Sequence, residues 1–191
     1  MKETKVSRIP LPRQDELDAA QRQVFDEIKA GRRGAVLDLF MMLMHSPKLA
    51  DRAQRLGVFL RYETSLPTRL SELAVLTTAK HWNASYEWHF HEKEARAGGL
   101  PEGIIEAVRS GETPKFINAD EAAVHAYTRE LLSNRHASDE TYETALGFFG
   151  KAGMVELTCL IGYYCMIAMT LNEHGVPLPA GTEPALPPPG S

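Results

Sequence analysis

Among the titratable residues between Leu66 and Gly99, Glu72, Glu87 and His91 are the three best suited by type and spacing to moving protons together. An imidazole can give or take a proton near neutral pH, and a carboxylate can hold one ring nitrogen while the other faces a substrate. Glu87 and His91 stand at i and i+4, which makes them neighbours on one helix face. Such a set suits general acid/base chemistry on a small molecule, which needs a proton donor, a group to stabilise developing negative charge and a pocket around the reacting atoms. No metal or organic cofactor is required for this. The plainer roles are an ordinary i,i+4 surface pair for Glu87 and His91, and a helix salt bridge to Arg69 for Glu72. A metal reading would join Glu87 and His91 with His81 or Glu72 as ligands for zinc or iron, but the His-Glu-x-x-His signature is absent and metal ranks below a metal-free site.

The elements that position these groups decide whether they meet. Pro67 suits a first helical turn, and Leu70, Leu73, Val75 and Leu76 give the following helix an apolar face. A second helix is expected from about Ser85 to Ala97, with Asn83 or Ser85 as cap and Gly98-Gly99 before Pro101 as the stop. At about 1.5 Å per residue, one unbroken helix would hold Glu72 roughly 20 Å or more from Glu87 and His91. A reversal at Asn83 to Ser85 would pack the two helices side by side and bring Glu72 to the pair.

The glutamate opening an apolar helix, the run Tyr86-Glu87-Trp88, then His91, Ala95 and Gly99-Leu100-Pro101, resembles the carboxymuconolactone decarboxylase family of the AhpD-like superfamily, most clearly over residues 65–108. The resemblance implies an all-α, AhpD-like helical bundle of about eight helices, assembled as a homo-oligomer, trimer or hexamer. It also implies a cofactor-independent carboxy-lyase of aromatic compound catabolism, with His91, Glu87 and Glu72 as catalytic residues; the position in the family pattern is what favours Glu72. The peroxidase branch of the superfamily carries a Cys-x-x-Cys before the histidine. Those positions here are Ala84 and Glu87, and a thiol peroxidase needs both an attacking and a resolving thiol, so the decarboxylase-like branch is the better match. The competing readings are an AhpD-like oxidoreductase, a metal-dependent enzyme and a non-catalytic helical oligomer. Trp88, His89, Tyr86 and His81 are the candidates for substrate contact, with packing as the rival role for each.

The remaining sequence bounds the molecule. A chain of 191 residues, 43% hydrophobic, fits one domain with tails, and a net charge of −4 with scattered basic residues gives no footprint for nucleic acid. The domain is expected over 15–176, between an extended arm at 1–14 and a proline-rich tail at 177–191. Cys159 and Cys165, six apart in an apolar stretch, face about 120° apart on a helix and read as reduced core residues. The start lacks the apolar core of a signal peptide, which makes the cytoplasm the expected compartment. The apolar run Gly153 to Leu171 reads as a central buried helix, from about Met154 to Asn172, and not as a membrane span. Helices are also expected before Gly31, over the Met-rich stretch Ala35 to Met44, from Ser46-Pro47 to Tyr62 with Leu49, Ala53, Leu56 and Leu60 on one side, from Pro101 to Ser110, after Asn118 or Asp120, and from Ser138 to Phe149. A small-molecule substrate is the expected partner, with neither membrane nor nucleic acid.

Overall fold

The computed structural model describes residues 7–190; the first half of the expected N-terminal arm lies outside them. Among the described residues the protein has eight α-helices, one 3-10 turn at Gln14–Glu16 and no strand, as expected for the all-α class. The helices are α1 (Ala19–Ala30), α2 (Asp38–Leu43), α3 (Pro47–Tyr62), α4 (Thr68–His81), α5 (Ser85–Ala97), α6 (Glu102–Ser110), α7 (Ala119–Asn134) and α8 (Asp139–His174).

Local chemistry accounts for most of the boundaries. Asp18 and Gln21 form a reciprocal capping box at the start of α1, and Pro47 occupies the first turn of α3, where its missing N–H costs nothing. The apolar side expected for α3 is only partly the buried one, because Leu49 and Leu56 are 47% and 46% exposed. The buried face is Ala50, Ala53, Gln54, Gly57 and Leu60. At Gly57 a Cβ would collide with the Tyr163 hydroxyl and the Arg33 guanidinium, so this glycine is what lets α3 approach both.

The centre of the molecule is α4, where every residue from Leu70 to Ala79 is buried. The sequence placed α8 there, and the structure corrects this. Helix α8 packs on α4 and α7 but keeps one long side outward, with Val155 64% and Met169 46% exposed and Cys159 exposed as well, so Cys159 is no core residue. Because one face of α8 meets α4 and the other does not, its apolar sequence is more uniform than its burial. Half of its most apolar window is buried, and it is the single described helix long and apolar enough to cross a membrane. The two helices expected over this region are both present within α8, separated by a kink at Gly150, whose φ of 63° and ψ of −178° are non-helical and readily adopted by glycine.

The chain reverses between α4 and α5. Trp82 closes α4, Asn83 takes a left-handed φ of 48°, and the Ala84 N–H donates to the Ala79 carbonyl at 2.8 Å before α5 begins at Ser85. Asparagine tolerates this conformation better than most residues, and Asn172 supports the corner by donating to the Trp82 carbonyl at 2.7 Å. The C-terminal tail lies over the start of α5: the Ser85 hydroxyl exchanges hydrogen bonds with the Leu186 backbone at 3.2 Å, and the Leu186 side chain is buried.

Candidate active site

The α4–α5 reversal brings Glu72 to His91. Glu72 Oε2 lies 2.7 Å from His91 Nδ1, and both residues are buried, so the surface-pair and Arg69 salt-bridge alternatives are both overturned. Arg69 turns the other way and binds Asp120 at 2.8 Å and Glu121 at 2.6 Å on α7. With Nδ1 held by Glu72, the second ring nitrogen of His91 is the one left for a ligand. The His91 ring also meets the edge of Tyr164, with centroids 4.8 Å apart.

Glu87 is 2% exposed, and neither of its carboxylate oxygens has a hydrogen-bond partner. It does not orient His91, since Glu72 has that place. Burial, helped by the negative charge of Glu72, raises Glu87 well above the ordinary carboxylate range and so favours its neutral, proton-bearing form. An unpartnered buried carboxyl carries a desolvation cost that most folds avoid by supplying a donor.

Glu87 and His91 line a cavity of about 190 Å³. Its polar lining also includes Arg33, Arg61, Tyr163 and Tyr164, and Leu37, Leu39, Phe40 and Phe90 form much of the apolar wall. Burial raises Tyr164 well above an ordinary phenol, which keeps its hydroxyl protonated. Burial disfavours the Arg61 cation, but the surrounding Tyr164, Tyr62, Glu72 and Glu94 outweigh it and raise its pKa.

The other sequence candidates divide. Tyr86 is buried and lines the cavity. Trp88 is fully buried outside that lining, its indole N–H donating to Glu92 at 3.3 Å. His89 sits edge-on to Phe90, and His81, edge-on to Trp82, is exposed; neither lines the cavity. Among the described residues no three His, Cys, Asp or Glu side chains group so as to hold a metal ion, and His81 does not join Glu87 and His91. The methionines of the 35–44 stretch are core, while Leu37, Leu39 and Phe40 of that stretch face the cavity. Sequence reasoning missed Arg33, Arg61, Tyr163 and Tyr164. The Tyr163-Tyr164 pair inside an apolar helix was the one available signal, because two adjacent buried hydroxyls need partners.

No family model and no curated protein matches the sequence. Among solved structures, the chain is similar to a protein of unknown function from Agrobacterium tumefaciens, for which a role in antioxidant defence as an AhpD protein has been suggested. The two share 21% identity and a TM-score of 0.64, over 71% of this chain and 94% of that one. It is also similar to the debrominase Bmp8 in its apo form, at 17% identity and a TM-score of 0.71, over 94% of this chain and 95% of that one. At these identities the likeness speaks for architecture, and the fold of this chain is AhpD-like.

Proposed function

We propose that the protein is an enzyme that performs cofactor-independent acid/base chemistry, decarboxylation or a related proton transfer, on a small carboxylated lactone or ring compound. The observation that carries this reading is Glu87, a buried carboxyl with no protein partner and a raised pKa, lining the same cavity as a histidine whose other nitrogen is anchored by Glu72. In a decarboxylation the carbon–carboxylate bond breaks and its electron pair enters the conjugated carbonyl. The Glu87 O–H donates a hydrogen bond to the developing oxyanion, and His91 protonates the carbon and recovers its proton from solvent. A neutral Glu87 suits this task better than an ionised one, which would repel both the carboxylate and the oxyanion. The debrominase among the structural neighbours supports the enzyme reading, since the same architecture carries small-molecule chemistry in that protein.

The test is a screen of carboxylated lactones and aromatic-catabolism intermediates, with and without chelator. Turnover should be insensitive to chelator and to alkylation of Cys159 and Cys165, and should depend on His91 and Glu87. A chelator-sensitive reaction would turn the reading towards metal, and full activity in both His91→Gln and Glu87→Gln would leave a binding or structural role. Self-association as a trimer or hexamer belongs to the same reading, and the outward side of α8 at Val155 and Met169 offers apolar surface for it. A monomer mass in solution would remove that part alone.

A further inference from the structure

Arg33 and Arg61 come from distant parts of the chain, the loop after α1 and the end of α3, yet both line the cavity that holds Glu87 and His91. Each guanidinium lies over an aromatic ring, Arg33 over Phe40 at 4.6 Å and Arg61 over Tyr62 at 5.0 Å, so their stems and planes are fixed by packing. Neither is neutralised in the way Arg69 is. The Nε of both is buried without an acceptor. Arg61 has a loose partner in Glu94 at 3.8 Å, whose side chain is 51% exposed while that of Arg61 is 14% exposed. A pair of that kind contributes little by itself, and the negative surroundings that keep Arg61 charged include Glu72 inside the protein, which hydrogen-bonds His91 and not the guanidinium. Arg33 makes a long contact to the Gln54 carbonyl at 3.5 Å and a polar contact with Tyr163, and among the described residues no carboxylate pairs with it. Tyr163 stands near both cations, and its hydroxyl donates to the Ala53 carbonyl at 3.1 Å; Gly57, with no Cβ, makes room for the Tyr163 hydroxyl and Arg33 together. Two guanidinium groups near one phenol line a cavity whose acid, Glu87, is held towards its neutral form by burial.

We infer that Arg33 and Arg61 form the anion-binding end of the cavity and hold the carboxylate of a single-ring ligand, with the ring against the apolar wall towards Glu87 and His91. The inference rests on reading this cavity as a small-molecule site. Its size fits, since about 190 Å³ is somewhat larger than the roughly 150 Å³ cavity that takes a benzene molecule. A planar carboxylate also matches the fork of a guanidinium better than a point charge would. Anchoring the carboxylate at this end fixes which edge of the ring meets the proton-transfer groups, so Arg33 and Arg61 are binding and orienting residues.

The experiment measures binding of benzoate and of benzamide, which differ in charge but hardly in shape, by titration calorimetry on the full chain, the Arg33→Met and Arg61→Met variants and His91→Gln. Wild type should bind benzoate about 10-fold or more tighter than benzamide, and each arginine variant should lose most of that preference, as expected when one partner of a desolvated charge contact is removed. His91→Gln should keep it. Equal binding of the two compounds, no measurable benzoate binding, or a preference that survives both arginine substitutions would overturn the inference. The wild-type comparison decides the matter even where an arginine variant does not fold. A benzoate preference without turnover of any carboxylated substrate would leave this subsite standing and remove the acid/base reading, whereas His91-dependent turnover with no benzoate preference would do the reverse.

Discussion

Two buried glutamates pack against α4 and have opposite surroundings. Glu121, fully buried, is met at Oε1 by Arg69 at 2.6 Å and by the Asn118 amide at 3.1 Å, while its Oε2 is buried without a partner; Arg69 is further fixed by Asp120. Glu87, as deeply buried, has no donor at all and lies at a cavity. The first arrangement is a latch between α4 and α7, with charge compensated and no open space. The second leaves a carboxyl whose free energy improves when something else supplies the partner. Burial alone therefore does not separate a structural acid from a chemical one; the separation lies in whether a close cation compensates it and whether it borders open space.

The comparison breaks if Arg69→Met is harmless. Removing Arg69 leaves Glu121 buried and uncompensated, and urea unfolding should show a loss of about 3 kcal/mol or more. The double variant Arg69→Met, Glu121→Leu should recover much of it, because the stranded charge is the main cost. At Glu87 and His91 the expected loss is in rate. Glu87→Gln and His91→Gln should each lower turnover about 100-fold, near 2.7 kcal/mol of barrier, with helical content unchanged by circular dichroism.

Titration sharpens the contrast. Unfolded, Glu87 releases its proton near pH ~4.3; folded, it holds that proton to much higher pH. As pH rises above the unfolded value the unfolded chain binds fewer protons than the native one, so wild-type stability falls until Glu87 itself ionises. Chemical unfolding from pH 5 to pH 8 should show Glu87→Gln gaining on wild type as pH rises, and a constant difference would mean that Glu87 is ionised in the fold. The smallest effect belongs to His125, buried against Phe116, where burial and then Arg129 push the imidazole down to about 4. The unfolded chain takes up this proton near pH ~6.5, so the contribution is lost as pH falls from there towards 4, and His125→Phe should flatten that limb.

Local pattern in the sequence sets most of the helices and the chemical core of the site. Pro47, the Asp18 box, Gly98-Gly99 and Gly175 place ends within a residue or two, and the i,i+4 spacing of Glu87 and His91 puts them on one face whatever the rest does. That α4 and α5 reverse was legible as a possibility from Asn83 and Ser85, and the fold decided it. What only the tertiary structure could decide are the contacts between residues far apart in the chain: that Glu72 meets His91 while Arg69, three residues earlier, serves α7; that α4 and not the more apolar α8 is the centre; and that Arg33, Arg61, Tyr163 and Tyr164 share a cavity. Helix propensity and capping act over one or two turns, so sequence spacing reports them directly. Which faces meet, and which polar groups are left without partners, depends on how all the helices pack at once, and no local spacing records it.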